Sequence, residues 1–211
     1  MNQDQKNHIP ELAIVGDLTE NESELTGQLL DVEPGGSCTI YFDSPGGSPY
    51  CAMSLMTLMR LRGLKATGIV TGECSSAALW PFAACVRRLV TPCSVLLFHP
   101  MRWQSEENVG LAEAAEWARH FGQLEKDMDN LLADLFGVTQ KTMQEWINPG
   151  RYVCGPELVA AGIAEMLDLA QIKNTVGKPL FPARNPSDNG ALTVTEKEKA
   201  REKAVQQKVR M

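Results

Sequence analysis

The sequence predicts a single α/β domain built around a mainly parallel sheet. Through the first half of the chain, short apolar runs alternate with helix-periodic segments, which is the pattern of repeated strand and helix units. Strands are expected at residues 12–15, 38–42, 66–71, 88–91, 94–98 and 163–167, and helices at residues 21–32, 49–62, 75–85, 111–136, 139–147 and 156–161. A chain of 211 residues suits one such domain, which buries about 70% of the surface that the unfolded chain exposes.

The ends of the chain differ in composition from its body. Residues 1–11 are polar, residues 12–180 carry the strand and helix pattern, and residues 181–211 form a charged tail with few apolar side chains. We expect the tail to be disordered or weakly helical, and a docking arm for a partner is the alternative. The predicted domain is therefore residues 12–180.

Composition and charge exclude several classes of function. The net charge is −6, and residues 1–180 carry 13 basic against 22 acidic side chains, which argues against nucleic-acid binding. No apolar run approaches the length of a membrane span, and the N-terminus has no apolar core of a signal peptide. The six cysteines form no C-x-x-C pair, and no metal-ligand or phosphate-binding motif is present. We expect a cytoplasmic protein with reduced cysteines, no cofactor, no metal and no membrane partner.

The segment from residue 111 to residue 136 predicts one long amphipathic helix. Apolar side chains recur at helical spacing, and the acidic residues, Asp129 among them, are assigned to the other faces. At about 1.5 Å per residue the helix is nearly 40 Å long, more than the domain needs to cover its own core. We expect part of it to pack on another subunit. A bent helix lying on its own sheet is the alternative.

Ser76 is the candidate nucleophile. It lies where a predicted strand ends and a helix begins, among the small residues Ser75, Ala77 and Ala78, which allow a substrate backbone to approach. Free amides at the start of a helix favour negative charge that develops near such a hydroxyl. The alternative is an N-cap, a role that either Ser75 or Ser76 can fill.

Gly47 and Ala77 are the candidate oxyanion donors. The turn Ser44-Pro45-Gly46-Gly47 also follows a strand and precedes a helix, and its glycines permit close approach of the backbone. The amides of Gly47 and Ala77 can then hold an oxyanion together. Simple turn chemistry explains the Gly-Gly pair equally well when it is taken alone.

His99 is the candidate general base. Of the three histidines, His8 lies in the polar N-terminus and His120 on the long helix, whereas His99 ends an apolar strand and precedes Pro100. A lone histidine at a strand end is usually structural, so its assignment depends on its combination with Ser76.

These motifs together resemble the proteolytic subunit of the Clp protease. The resemblance rests on Ser-Pro-Gly-Gly, a G-x-x-x-S motif whose Ser76 lies 29 residues after Gly47, and a strand ending in His-Pro, and it extends over about residues 12–168. It implies a ClpP/crotonase-like α/β fold, a repeated ββα superhelix with a long handle helix. It also implies peptide or unfolded-protein substrates, a homo-oligomer of two stacked seven-membered rings, and an ATP-driven unfoldase. By position Ser76 matches the nucleophile, His99 the base, and Gly47 and Ala77 the oxyanion donors.

The chain departs from the family pattern at the third catalytic position. The family has an aspartate immediately before an Arg-aromatic pair, and here Gly150 precedes Arg151-Tyr152. Asn148 is the closest replacement, as in the Cys-His-Asn arrangement of papain-like proteases. An amide can fix the tautomer of His99 but offers no negative charge, so slow turnover is expected.

Two further departures concern partners and substrate. We expect the polar segment before the first strand to be too short for the leading helix and axial loop that contact the unfoldase in the family, so ATP dependence is not assumed. Residues 103–108 replace a glycine-rich strand that holds substrate, and Gly110 alone resembles it.

Three hypotheses of function follow. The leading one is a serine endopeptidase of the Clp type, with activity that is low because of Gly150. The second is a catalytically weak or silent structural subunit of a ring. The third is an acyl-CoA enzyme of the wider crotonase fold, in which Ser76 beside His99 has no obvious role.

Overall fold

The computed structural model describes residues 9–104 and 108–170. Within these ranges the elements are β1 (Glu11–Asp17), α1 (Leu18–Asp31), β2 (Ser37–Gly46), α2 (Pro49–Leu61), β3 (Lys65–Cys74), a 3₁₀ helix (Ser76–Ala78), α3 (Leu79–Ala84), β4 (Arg87–Val90), β5 (Val95–Phe98), α4 (Leu111–Phe136), α5 (Gln140–Ile147), β6 (Arg151–Cys154), α6 (Gly155–Ala160) and β7 (Glu165–Met166). The predicted tail, residues 181–211, lies outside the described residues, as do most of the N-terminal segment and residues 105–107 of the handle region.

Parallel strands form most of the sheet, as predicted. The strands β1, β2, β3, β4 and β7 are neighbours in that order, and each pair is parallel. Strand β5 pairs in parallel with the carboxyl end of β3, and β6 pairs antiparallel with β5. No strand was predicted at β6. The segment has only four residues, and Arg151 and Tyr152 are exposed, so it lacks the apolar run that marks a buried strand. Strands β5 and β6 therefore continue the sheet from the carboxyl end of β3.

Aromatic side chains join the sheet to its helices at the centre of the core. Phe42 of β2 contacts Phe82 of α3 with ring centroids 5.3 Å apart, and Phe82 contacts Phe136 of α4 at 6.2 Å. Phe98 of β5 lies 6.3 Å from Phe136 and 5.1 Å from Trp146 of α5. Edge-on and tilted aromatic contacts of this kind add to the free energy of burial. The chain of contacts fixes α3, α4 and α5 against the strands that end near Ser76 and His99.

Helix α4 has the bounds that the sequence predicted, and Gly137 ends it with a left-handed φ of 73°. Its buried residues all lie in the last nine positions, while Leu111 at its start is 89% exposed. One part of the prediction was wrong. Asp129 does not face solvent but is 92% buried, because it shares a helical stripe with Leu132, Ala133 and Phe136.

The core is tightly packed around Gly68 in the middle of β3. A Cβ at this position would lie 2.9 Å from the Cys85 Sγ, 3.0 Å from the Phe82 ring and 3.1 Å from the Phe42 ring. All three side chains are buried, so none can move aside into solvent. The absence of a side chain at Gly68 thus allows α3 to pack directly on the sheet.

We predict that Gly68→Ala lowers the free energy of unfolding by about 1–3 kcal/mol, the usual cost of overpacking a filled core. Gly27→Ala is the matched control, because Gly27 lies on α1 with no atom within 4 Å of an added Cβ. That change should raise stability by about 0.5–1 kcal/mol through helix propensity. Urea denaturation measures both values. Unchanged stability in Gly68→Ala would contradict this account of the packing.

Candidate active site

The carboxyl ends of three parallel strands bring the predicted site residues together. Strand β3 lies between β2 and β5, with Ser44 opposite Cys74 and Glu73 opposite Val95. Because parallel strands present their carboxyl ends at one edge of a sheet, the residues that follow each strand meet there. These are the Gly46–Gly47 turn, Ser75 and Ser76, and His99.

Ser75 links the carboxyl ends of these strands by hydrogen bonds. Its backbone N–H donates to the Ser44 carbonyl over 2.9 Å, and its hydroxyl oxygen accepts from the Leu97 N–H over 3.1 Å. Ser75 is buried and occupies the N-cap position of the 3₁₀ helix, although its side chain makes no capping bond. Of the two serines that the sequence left open for the cap, Ser75 therefore holds that position, and Ser76 is the first helical residue.

Ser76 has an unusual backbone conformation that presents its hydroxyl. Its φ is 54°, in the left-handed region that a residue with a side chain adopts only at some cost. A serine on a strained turn between a strand and a helix is the geometry of a nucleophile elbow. The Ser76 Oγ lies 2.9 Å from the His99 Nε2. The structure thus brings together the predicted nucleophile and the predicted base.

The tautomer of His99 follows from its second hydrogen bond. The Nδ1 atom lies 2.7 Å from the carbonyl oxygen of Pro100. A carbonyl oxygen only accepts, so Nδ1 carries the proton and Nε2 is left as an acceptor. The Ser76 hydroxyl can then donate to Nε2, which is the arrangement a general base requires.

The glycine turn lies directly against the start of the 3₁₀ helix. A Cβ on Gly46 would come within 2.7 Å of the Ser76 Cβ and 2.9 Å of the Ala77 nitrogen, and Gly46 has a φ of 108°. Gly47 and Ala77, the predicted oxyanion donors, line the same cavity as Ser76 and His99. The first amides of a helix have no partner within it, so the Ala77 N–H has the character that an oxyanion donor needs.

Gly150, which has no side chain, stands where the family pattern has its third catalytic residue. A Cβ on Gly150 would lie 3.4 Å from the His99 Cβ, so this glycine packs beside the histidine, as its place in the motif suggested. The Asn148 side-chain amide donates to the Gln144 Oε1 over 2.9 Å. The hydrogen bonds described for Asn148 and His99 do not connect the two side chains. The role of Asn148 as a third member therefore stays a prediction.

A cavity of about 240 Å³ opens beside Ser76 and His99. Its lining includes the buried Asp129, which the sequence reasoning had placed on a solvent-exposed helix face. Burial raises the pKa of the Asp129 carboxyl to about 6, the Gln144 hydrogen bond opposes this rise, and the Glu125 carboxylate adds to it. The signal was available in the sequence, because residues 129, 132, 133 and 136 fall on one helical stripe.

Across residues 9–104 and 108–170, no group of three or more His, Cys, Asp or Glu side chains is placed to hold a metal ion. In the same part of the chain, no helix combines the length and apolar character needed to cross a bilayer.

The contacts of Ser76 and His99 resemble those of a serine hydrolase. A hydroxyl bonded to a correctly protonated imidazole, beside free amides, is suited to attack on a carbonyl carbon. The family model of the Clp protease matches residues 13–167. The chain therefore belongs to the Clp protease family.

Proteolytic subunits of the Clp protease are also similar to this chain in sequence. The chain is 28% identical to the ATP-dependent Clp protease proteolytic subunit of Bacteroides fragilis over 128 residues, which is 59% of this chain and 61% of that protein. It is 29% identical to the subunit of the same name from Bacteroides thetaiotaomicron over 123 residues, 57% of this chain and 55% of that protein. The chain thus spans about three fifths of the length of these relatives.

A solved structure confirms the predicted fold. The structure of a ClpP1 asparagine-to-aspartate mutant from Listeria monocytogenes matches with a TM-score of 0.66 and 18% identity, over 75% of this chain and 91% of that one. At this identity the likeness establishes the fold alone. The predicted ClpP-like α/β architecture is therefore correct.

We predict a pH dependence of stability that originates at Asp129. Its pKa rises from 3.8 to about 6 on folding, so the protonated carboxyl favours the folded state below pH 4 and this contribution is lost as pH rises to 6. Asp129→Asn should therefore melt progressively higher than the wild type as pH increases from 4 to 7. Thermal unfolding over that range measures the difference. A constant difference would contradict the assignment.

Proposed function

We propose that this chain is a serine endopeptidase of the Clp type. The observation that carries the proposal is the 2.9 Å contact between the Ser76 Oγ and the His99 Nε2, with Nδ1 held by a carbonyl. Membership of the Clp protease family supports a hydrolase, and the ATP-dependent proteolytic subunits of Bacteroides are similar in sequence. The substrates proposed are peptides or unfolded proteins.

In the proposed mechanism, His99 removes the proton from Ser76 as the Ser76 Oγ attacks a peptide carbonyl. The Gly47 and Ala77 amides donate to the carbonyl oxygen as it becomes negative, a contribution whose loss typically costs about 10²–10³ in rate. His99 then passes the proton to the leaving amine. A water molecule, deprotonated by His99, releases the acyl group from Ser76.

The Pro100 carbonyl takes over one of the two roles of a catalytic aspartate. It holds Nδ1 protonated and so keeps Nε2 available as the base. It carries only a partial negative charge, so it stabilises the imidazolium less than a carboxylate does. Asn148 fits a positioning role here, because its bond to Gln144 anchors the turn that packs Gly150 against His99.

The proposal includes assembly into a homo-oligomeric ring through α4. The first part of this helix is solvent-exposed in the single chain, including Leu111, whereas its end is packed in the core. An unpartnered helix face of this length is typical of a surface between subunits. The ring size, enclosure of the site in a chamber and an unfoldase partner belong to the proposal as implications of the family.

A second candidate function is favoured by Gly150. The position beside His99 has no side chain, and among the described residues no carboxylate hydrogen-bonds to the imidazole. A catalytically silent ring subunit would have this feature. The acyl-CoA alternative finds no comparable support in the contacts of Ser76.

Ser76→Ala should abolish both labelling by a fluorophosphonate and hydrolysis of a fluorogenic peptide. The reason is that only an activated serine attacks phosphorus, and Ser76 alone is paired with a base in this site. Intact mass should show a single adduct on the wild type and none on the variant. Ser54→Ala is the control, because Ser54 is exposed on α2. A folded, assembled wild type that gains no adduct would favour the silent subunit.

Asn148→Ala should lower kcat/KM by less than about tenfold, because the Pro100 carbonyl still fixes the tautomer. A change that produced the wrong tautomer of the imidazole would lower kcat by about 10⁴-fold. Peptide hydrolysis measures the rate. A loss of a thousandfold or more in Asn148→Ala alone would mean that Asn148 itself orients the imidazole.

A further inference from the structure

The cavity beside Ser76 has the size and walls of a subsite for one side chain. Its volume of about 240 Å³ is below the roughly 300–1,000 Å³ of small-molecule sites. Apolar and aromatic side chains form most of its walls, among them Leu79, Trp80, Phe98, Met101, Leu132 and Ile147. In the proposed peptidase, the residue before the scissile bond must place its side chain next to the nucleophile. This cavity is where that side chain fits.

One carboxyl group interrupts these apolar walls. Asp129 is 92% buried and lines the cavity together with Ser76 and His99. The Gln144 Nε2 donates to its Oδ2 over 3.2 Å. A carboxylate has about four acceptor sites, so this single side-chain donor leaves most of its capacity unused. A buried carboxylate without a counter-charge is costly, and a cationic ligand would offset that cost.

The charged groups around Asp129 leave its charge uncompensated. Across the described residues, no cationic side chain lies within ion-pair distance of it. Glu125, one turn earlier on α4, accepts from the Met101 N–H over 2.7 Å and adds to the negative potential. Arg102 also lines the cavity, but its side chain is exposed. Burial raises the pKa of Asp129, which is the behaviour of a carboxyl group that lacks a cation.

We propose that Asp129 makes this cavity a subsite for a cationic side chain, so that the peptidase favours substrates with Lys or Arg immediately before the scissile bond. A carboxylate in the primary specificity pocket is an established means of selecting these residues. The apolar walls accommodate the aliphatic stem of the side chain, and Asp129 pairs with its charged end. This inference rests on the proposed function, since it names the substrate class of the same site.

A binding experiment tests the subsite without requiring catalysis. The full-length Ser76→Ala protein is titrated calorimetrically at pH 7 with benzamidine, a planar cation, and with its neutral analogue benzamide. Benzamidine should bind at least about tenfold more tightly than benzamide, as expected for hydrogen bonds to a charged acceptor. Equal affinities would overturn the proposal. Pairing of Arg102 with Asp129 would give that same negative result. This comparison needs no change at Asp129.

Two further variants locate the effect. Asp129→Asn, in the same background, keeps the size of the side chain and should lose the preference for benzamidine. Asp127→Asn is the matched control, because Asp127 lies on the same helix but is exposed and bonded to Gln123. It removes the same charge and should leave binding unchanged. Equal losses in both variants would indicate long-range electrostatics and overturn the assignment to Asp129.

Cleavage separates this inference from the proposed function. Two fluorogenic peptides that differ only in Lys or Met before the scissile bond are compared with the wild type and with Asp129→Asn. The wild type should favour Lys in kcat/KM by about tenfold or more, and the variant should lose that preference. Cleavage without preference for Lys would overturn the subsite but retain the peptidase. Binding that depends on Asp129, without cleavage of either peptide, would retain the cation subsite and refute the peptidase.

Discussion

The site depends on the position of β3 between two parallel partners. Pairing with β2 brings the Gly46–Gly47 turn to one side of Ser76, and pairing with β5 brings His99 to the other. Ser75 joins all three strands, since its N–H donates to Ser44 and its hydroxyl accepts from Leu97. The predicted nucleophile, base and oxyanion donors thus come from separate segments, which the hydrogen bonds of Ser75 hold together. The strained φ of Ser76 persists because residues on both sides hold it.

A catalytic aspartate has two functions, and this structure separates them. It fixes the imidazole tautomer, and it stabilises the imidazolium by its charge. The Pro100 carbonyl supplies the first through Nδ1. Gly150 cannot supply the second, and its φ of 123° is a conformation that residues with side chains rarely adopt. A carboxylate-bearing residue at this position would therefore require a different backbone conformation. The turn as it is shaped here thus favours glycine over aspartate.

Most of the fold followed from the sequence, because its elements have clear periodicity. The bounds of α4 were predicted to the residue, and the main strands to within a few residues, since apolar runs and turn residues mark them. The pairing of Ser76 with His99 was implied by the resemblance to the proteolytic subunit of the Clp protease. Strand β6 was missed because its pairing with β5 is tertiary. The burial of Asp129 was missed because a carboxylate on an amphipathic helix normally faces solvent. The bond between His99 and Pro100 depends on side-chain torsion, which no pattern encodes.

Helix α4 extends from the cavity beside Ser76 to the surface proposed for assembly. Its buried end supplies Asp129 and Leu132 to the cavity, while Phe121 in its middle stacks on Trp103 with ring centroids 3.4 Å apart. Trp103 also lines the cavity, and Tyr50 contacts it edge-on. A partner packed on the exposed part of α4 near Phe121 would thus contact the cavity wall indirectly, through the stacked Trp103 ring. One helix thus lines the cavity at its buried end and presents the surface proposed for assembly at its exposed end.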